Sequence, residues 1–229
     1  MKKEILKEFV TSFAGSSFPT LCRTQSDRLV IIKMLGAGNG ASSLMSEFIV
    51  NNAAHHLGWP VPRAFLIEIP SGFPWTFGTD EFDDLVQKSS GWNLGLEYIP
   101  DAMKIGNTEE ISNELKAQVL ALDYLFVNID RTLESANLLQ DKEKNLWIID
   151  HGSCLIFQNM QALPPRIDSN HQFAMHFEHL KDLVLDRVRD LKKIDMYADL
   201  IENLPAQWCK QTNVTPESIR HLIRKITSK

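Results

Sequence analysis

The hydrophobic pattern of this chain changes period near residue 100. Before that point, short apolar runs alternate with turns; after it, apolar residues recur every three or four positions. Residues 29–35 (LVIIKML) read as a buried strand interrupted by one lysine, Lys33, and a Gly-rich turn follows at 36–40. Residues 43–57 read as a helix, with Leu44, Phe48, Ile49 and Ala53 at helical spacing and Gly58 and Pro60 ending it. Residues 61–69 (VPRAFLIEI) and 94–99 (LGLEYI) read as strands, with a helical excursion at 81–87 between them and Pro100 closing the second. Residues 109–128 predict a long helix that buries Leu115, Val119, Leu122 and Phe126. A polar loop at 128–135 leads to two short strands, 137–139 and 146–150. Helices are predicted at 173–193 and 196–204. A last one starts from Thr215 as N-cap with Pro216 at its first position, and carries Ile219, Leu222, Ile223 and Ile226 as a stripe. A strand-rich part followed by a helix-rich part predicts an α+β molecule of two lobes, residues 1–100 and 101–229, hinged near Pro100.

Composition narrows the classes. The 229 residues are 44% hydrophobic, enough for a core, and 24 Lys+Arg against 29 Asp+Glu give a net charge of -5. An acidic balance argues against nucleic acid as a partner, because phosphate backbones are bound by displacing counterions with a cationic surface. Cys22, Cys154 and Cys209 are odd in number and far apart, which excludes a disulfide scaffold and a thiolate zinc site and fits a reducing, cytoplasmic setting. The first nine residues are charged and lack the apolar core of a signal peptide. No run reaches the roughly 20 apolar residues that span a bilayer, so no membrane partner is expected.

The sharpest chemistry lies in residues 128–152 (NIDRTLESANLLQDKEKNLWIIDHG). Phosphoryl transfer from ATP needs one carboxylate to orient the attacking hydroxyl and accept its proton. It also needs an amide and a second carboxylate to hold the magnesium ions that bridge the phosphates. Asp130, Asn137 and Asp150 supply that set in that order, after a long helix and at the end of a short strand. Asp and Asn also cap ordinary turns, but the ordered set favours chemistry. Lys33 points the same way. A lysine in an apolar strand must bring its ammonium to a partner, and Glu47 is the only acidic residue on the 43–57 helix. Gly15, Ser16 and Ser17 form a small turn upstream of the lysine strand, whose backbone N–H groups could approach phosphate oxygens.

A competing reading fails. The turn at 36–41 fits GxGxxA between a strand and a helix, the dinucleotide-binding context. Yet Lys33 interrupts a strand that should be apolar, and Glu68 lies 32 residues after Gly36 rather than about 20. His171, His176 and His179 lack a completing ligand for zinc and read as ordinary histidines. Trp75, Trp92, Trp147 and Trp208 read as core or hinge packing.

The segments GSSFP, VIIK, SEFIVNNAAHHLGWPVP, NIDRTLESANLL and LWIIDHG together resemble the short HipA-like kinases, bacterial kinase-fold proteins related to the HipA toxin of toxin–antitoxin systems. The resemblance spans about residues 15–157; the last third carries no such motif. It implies a two-lobed protein-kinase-like fold, with a β-rich N-lobe, a helical C-lobe, and ATP and Mg²⁺ in the cleft. By resemblance, Asp130 is the catalytic-loop aspartate, Asn137 and Asp150 are the metal ligands, and Lys33 with Glu47 clamps the phosphates. Gly15, Ser16 and Ser17 cover those phosphates, and Glu97, Tyr98 and Ile99 form the hinge strand that holds adenine through backbone groups. The implied reaction is transfer of the γ-phosphoryl group to a hydroxyl, serine or threonine on a protein, with an antitoxin-type protein as a candidate partner. A catalytically weak or inactive ATP-binding or interaction module and a small-molecule kinase are the alternatives. The presence of Lys33, Asp130, Asn137 and Asp150 together argues against a degenerate kinase. Two departures stand out. Kinases place the asparagine about five residues after the aspartate, where this chain has Ser135, and no His-Arg pair precedes Asp130; Arg131 follows it.

Overall fold

The computed structural model describes residues 3–15, 17–38, 40–74, 79–106 and 108–228. Ser16, Asn39 and Trp75 of the sequence reading lie outside the described residues. Strands β1 (Lys3–Ser12), β2 (Thr20–Thr24), β3 (Leu29–Lys33), β4 (Ala64–Ile69) and β5 (Gly91–Glu97) close into a barrel in the order β1-β2-β3-β5-β4. The closing contact is parallel and short, pairing Lys3, Glu4 and Ile5 of β1 with Leu66, Ile67 and Glu68 of β4. Helix α1 (Gly40–His56) follows β3, and α2 (Asp80–Lys88) lies between β4 and β5.

Period-two alternation sorts the side chains of β3. Val30 and Ile32 fill the barrel interior with Leu6, Phe9, Phe65 and Ile67. Ile31 packs on the other side, and Lys33 shares its phase. Inside the barrel, Gly95 lies opposite Phe65, where a Cβ would run into the aromatic ring. The glycine makes room for the phenyl group.

The second half opens with β6 (Met103–Lys104), α3 (Asn113–Phe126), β7 (Leu138–Gln140) and β8 (Leu146–Ile148), and the three strands form one small sheet. Then come α4 (Leu155–Asn159), a 3-10 turn (Ala174–His176), α5 (Phe177–Lys192), α6 (Tyr197–Glu202), α7 (Ala206–Thr212) and α8 (Pro216–Thr227). Helix α1 sits between the outer face of the barrel and these helices. Its Phe48, Ile49 and Ala53 share one hydrophobic core with Leu66 and Leu94 of the barrel and with Leu120, Phe126 and Trp208 of the helices. Helix α7 adds a second tie. Trp208 Nε1 donates to the Trp92 carbonyl at 2.8 Å, while Gln207 donates to the Ser90 carbonyl at 2.8 Å and accepts from the Trp92 N–H at 3.0 Å.

Element boundaries depart from the sequence reading for identifiable reasons. The strand predicted at 61–69 begins only at Ala64, because Pro60 and Pro62 cannot donate to a ladder. The strand predicted at 94–99 is Gly91–Glu97, so Tyr98 and Ile99 lie beyond it. The helix predicted at 109–128 starts at Asn113, where Ser112 Oγ accepts from the Leu115 N–H at 3.2 Å, and stops at left-handed Val127. The predicted 173–193 helix is a 3-10 turn and then α5. Helix α8 has the predicted Thr215 cap, completed into a capping box by Ser218. Of β1 and β2 the sequence reading gives only the turn between them, and β6, α4 and α7 were not predicted. Among the described residues, no helix is long and apolar enough to cross a membrane.

Candidate active site

Lys33 ends β3 on the face turned toward α1. Its ammonium donates to Glu47 Oε2 at 2.6 Å and to Asp150 Oδ1 at 2.9 Å. Burial pulls the lysine toward neutrality, but the two carboxylates outweigh it and hold its pKa above the ordinary value. Asp150 is held below the ordinary carboxylate value, chiefly by the charge of Lys33. The pair Lys33 and Glu47 read from the sequence is therefore a direct contact, and Asp150 joins it from 117 residues away.

Asp150 reaches this position through an unusual backbone. It follows β8 with φ +66°, a left-handed conformation. Gly152, two residues on, comes so close to α1 that a Cβ there would collide with Ser43 Oγ. Asn137 (φ +48°) and Val127 (φ +54°) are left-handed too. Such a conformation costs about 1–2 kcal/mol for a residue with a Cβ and is least natural for a β-branched valine. Backbone strain of this kind persists where the surroundings over-determine it, typically at functional sites.

Asp130 lies exposed on the loop after α3. Partial desolvation first, and the charge of Asp150 second, raise its carboxyl above the ordinary value against the pull of Arg131, Lys33 and Asn137. A raised pKa makes a carboxylate a better proton acceptor. Asn137 Nδ2 donates to the Asp130 carbonyl at 3.1 Å, and its Oδ1 accepts from Ser135 Oγ at 2.8 Å. The loop that is two residues longer than usual therefore still returns its asparagine to the aspartate.

Lys33, Glu47, Asn137 and Asp150 share one cleft of about 290 Å³. Gly15, Ser17 and Pro19 line one wall; Lys33, Glu47, Asn137 and Asp150 line the deep end; Glu97, Tyr98 and Ile99 line the side toward the second half of the chain. The Glu97 N–H is committed to the Arg63 carbonyl at 2.9 Å, and the Ile99 carbonyl accepts from the Ala102 N–H at 3.4 Å. Of the residues named from sequence, all but Ser16 can be placed, and all of those but Asp130 line this cleft; Asp130 is tied to it through Asn137.

The oxygen donors of Asn137 and Asp150 suit a hard divalent cation. Among the described residues, no group of three or more His, Cys, Asp or Glu could hold a metal. The pair therefore needs phosphate oxygens and water to complete a shell, the usual arrangement for Mg²⁺.

Sequence reasoning missed a buried polar hub beneath the cleft. Asp123 of α3 is fully buried and accepts from Arg131 Nε at 2.5 Å and from Asn128 Nδ2 at 3.0 Å. It also meets His171 Nε2 at 2.9 Å. His171 Nδ1 accepts from the Phe173 N–H at 3.0 Å, so its proton is on Nε2 and points at Asp123. Against the cost of burial, the charge of Arg131 holds Asp123 well below the ordinary carboxylate value. The available signal was an aspartate within the apolar run LALDYLF, on a face that should be buried.

The comparison that decides the family covers nearly the whole chain: residues 3–229 match the HipA-like kinase family. This chain is a HipA-like kinase. The match extends the resemblance from 15–157 to both ends, including the last third, where no motif was legible. No curated protein matches it in sequence. Among solved structures, the Helicobacter pylori proinflammatory kinase CtkA is 13% identical, with a TM-score of 0.58 over 97% of this chain and 92% of that one. That likeness shows the fold: a mixed kinase-like architecture of strands and helices. The Golgi casein kinase crystallised with Mn and ADP is 8% identical, with a TM-score of 0.42 over 98% of this chain and 71% of that one. The HipA-like kinase is thus a kinase-type phosphotransferase by family.

Proposed function

We propose that this HipA-like kinase transfers the γ-phosphoryl group of ATP to a hydroxyl, with a protein serine or threonine as the acceptor and Mg²⁺ as the required cation. The carrying observation is the three-way contact of Lys33, Glu47 and Asp150 at the deep end of the cleft that Asn137 also lines. Residues 1–100 serve as the nucleotide lobe and 101–229 as the catalytic lobe. The main chain of Tyr98 and Ile99, with Glu97 beside it, takes the adenine edge. Lys33 takes the α- and β-phosphates, with Glu47 holding its ammonium in place, and Gly15 and Ser17 cover them. Asn137 and Asp150 hold the cation, which when bound neutralises charge on the β- and γ-phosphate oxygens. Asp130 orients the acceptor hydroxyl and accepts its proton. The contribution of the protein is position and charge, with no covalent intermediate.

The test is incubation with γ-labelled ATP and Mg²⁺, with and without a host lysate, comparing wild type with Asp150→Ala. Wild type should transfer label and the variant should lose at least ~100-fold. Equal labelling by both would show that Asp150 is not the metal ligand. If neither labels, but ATP raises the melting temperature of wild type, the chain is an ATP-binding module.

A further inference from the structure

We infer that Arg131 is the positioning residue for the cation-binding pair: one buried guanidinium sets the backbone of Asn137 and of Asp150 relative to each other. The inference rests on reading Asn137 and Asp150 as the cation ligands. Arg131 is 1% exposed, and the proton-accepting Asp130 precedes it directly. Its Nη1 donates to the carbonyls of Ala136 at 2.7 Å and Asn137 at 2.8 Å, and its Nη2 donates to the carbonyl of Ile149 at 3.3 Å. The peptide units on either side of Asn137 and the unit leading into Asp150 are thus held by one rigid planar group. A direct bond between the Ile149 N–H and the Asn137 carbonyl, 3.0 Å, runs alongside. Both ligand residues have left-handed backbones, which need such outside support. Arg131 is fixed in turn by Asp123, and Asp123 by Asn128 and His171.

A lysine in place of Arg131 keeps the charge beside Asp123 but lacks the fork that reaches several carbonyls at once. The positive charge of Arg131 also acts on Asp130 and Asp150, and Arg131→Lys keeps that charge, so a change in the variant reports the lost carbonyl contacts. Loss of a group that orients metal ligands typically weakens metal binding roughly 10–100-fold.

The measurement is Mn²⁺ affinity in the presence of a non-hydrolysable ATP analogue, by titration calorimetry or electron spin resonance. The affinity of the same analogue without metal is the second readout, and the unfolding transition the third. Arg131→Lys should weaken Mn²⁺ binding roughly 10–100-fold while leaving metal-free analogue binding and cooperative unfolding in place. His171→Gln, remote from the cleft, should weaken Mn²⁺ in the same direction by less. If Arg131→Lys gives no folded protein, His171→Gln decides alone. Wild-type Mn²⁺ affinity in the folded variants, beside its loss in Asp150→Ala, overturns the inference and leaves the site reading standing. Equal weakening of metal and metal-free analogue also overturns it, since that pattern marks general disruption. Unchanged Mn²⁺ binding in Asp150→Ala overturns the ligand assignment itself.

Discussion

His151 is an imidazole sealed next to Asp150 in the chain. It is 0% exposed, and neither ring nitrogen has a hydrogen-bond partner. Burial first, and the charge of Arg131 second, push its pKa down from 6.5 to about 3, so the folded protein holds it neutral. The folded value lies below the unfolded one. The associated stability is therefore complete above pH 6.5 and is lost as pH falls toward 3; over that window it is on the order of 5 kcal/mol. His151→Phe removes this dependence. Between pH 7 and pH 4.5, metal-free wild type should lose about 2–3 kcal/mol more unfolding free energy than the variant, measured by urea denaturation at each pH. Identical declines would mean that His151 is not buried neutral. Individual residues were unequally legible in the sequence. Lys33 stood out because an ammonium in an apolar strand demands partners, and Glu47 was the nearby acid. Asp130, Asn137 and Asp150 stood out as an ordered set. Arg131 and His171 did not, because their importance lies in which distant carbonyls and carboxylates converge on them, and residue type alone does not carry that.

Among the elements, α1 was legible as a helix but not as a buried one. Its apolar residues occupy several faces, which fits a helix enclosed by the barrel on one side and by α4, α6 and α7 on the other. Strand β1 was harder to read. Its register slips between Leu6 and Glu8 and again between Phe9 and Thr11, so the simple alternation that signals a strand is broken twice. Helix α7 is only seven residues, too short to display a helical period. Its tryptophan nonetheless ties three elements together. Trp208 is fully buried, meets the Phe48 ring of α1 edge-on at 6.1 Å, and bonds the Trp92 carbonyl of β5. Trp208→Ala should cost about 3–5 kcal/mol from the cavity and the lost hydrogen bond, read as a lowered urea midpoint. A loss under about 1 kcal/mol, the range of surface substitutions, would show that α7 is not part of the core.

Across the whole molecule, the change of period at residue 100 marks a change of secondary structure, yet the packing does not divide there. One hydrophobic core runs from Leu66 and Leu94 of the barrel through α1 to the C-terminal helices. Two weakly coupled lobes would melt separately; a shared core should melt once. Thermal unfolding followed by tryptophan fluorescence and by far-ultraviolet circular dichroism should give coincident transitions. Two separated midpoints would show that the lobes are energetically independent despite the shared core. The core that spans the change of period was hidden from sequence because it depends on residues more than a hundred positions apart, such as Phe48 and Trp208. The barrel has a further consequence. A sheet with open edges offers unpaired N–H and C=O groups to any passing strand, a standing invitation to aggregate. Here that invitation is withdrawn by Lys3, Glu4 and Ile5 lying against β4. Removing or crowding Lys3, Glu4 and Ile5 would uncover the edge of β4 and turn a self-contained barrel into a template for fibre-like association.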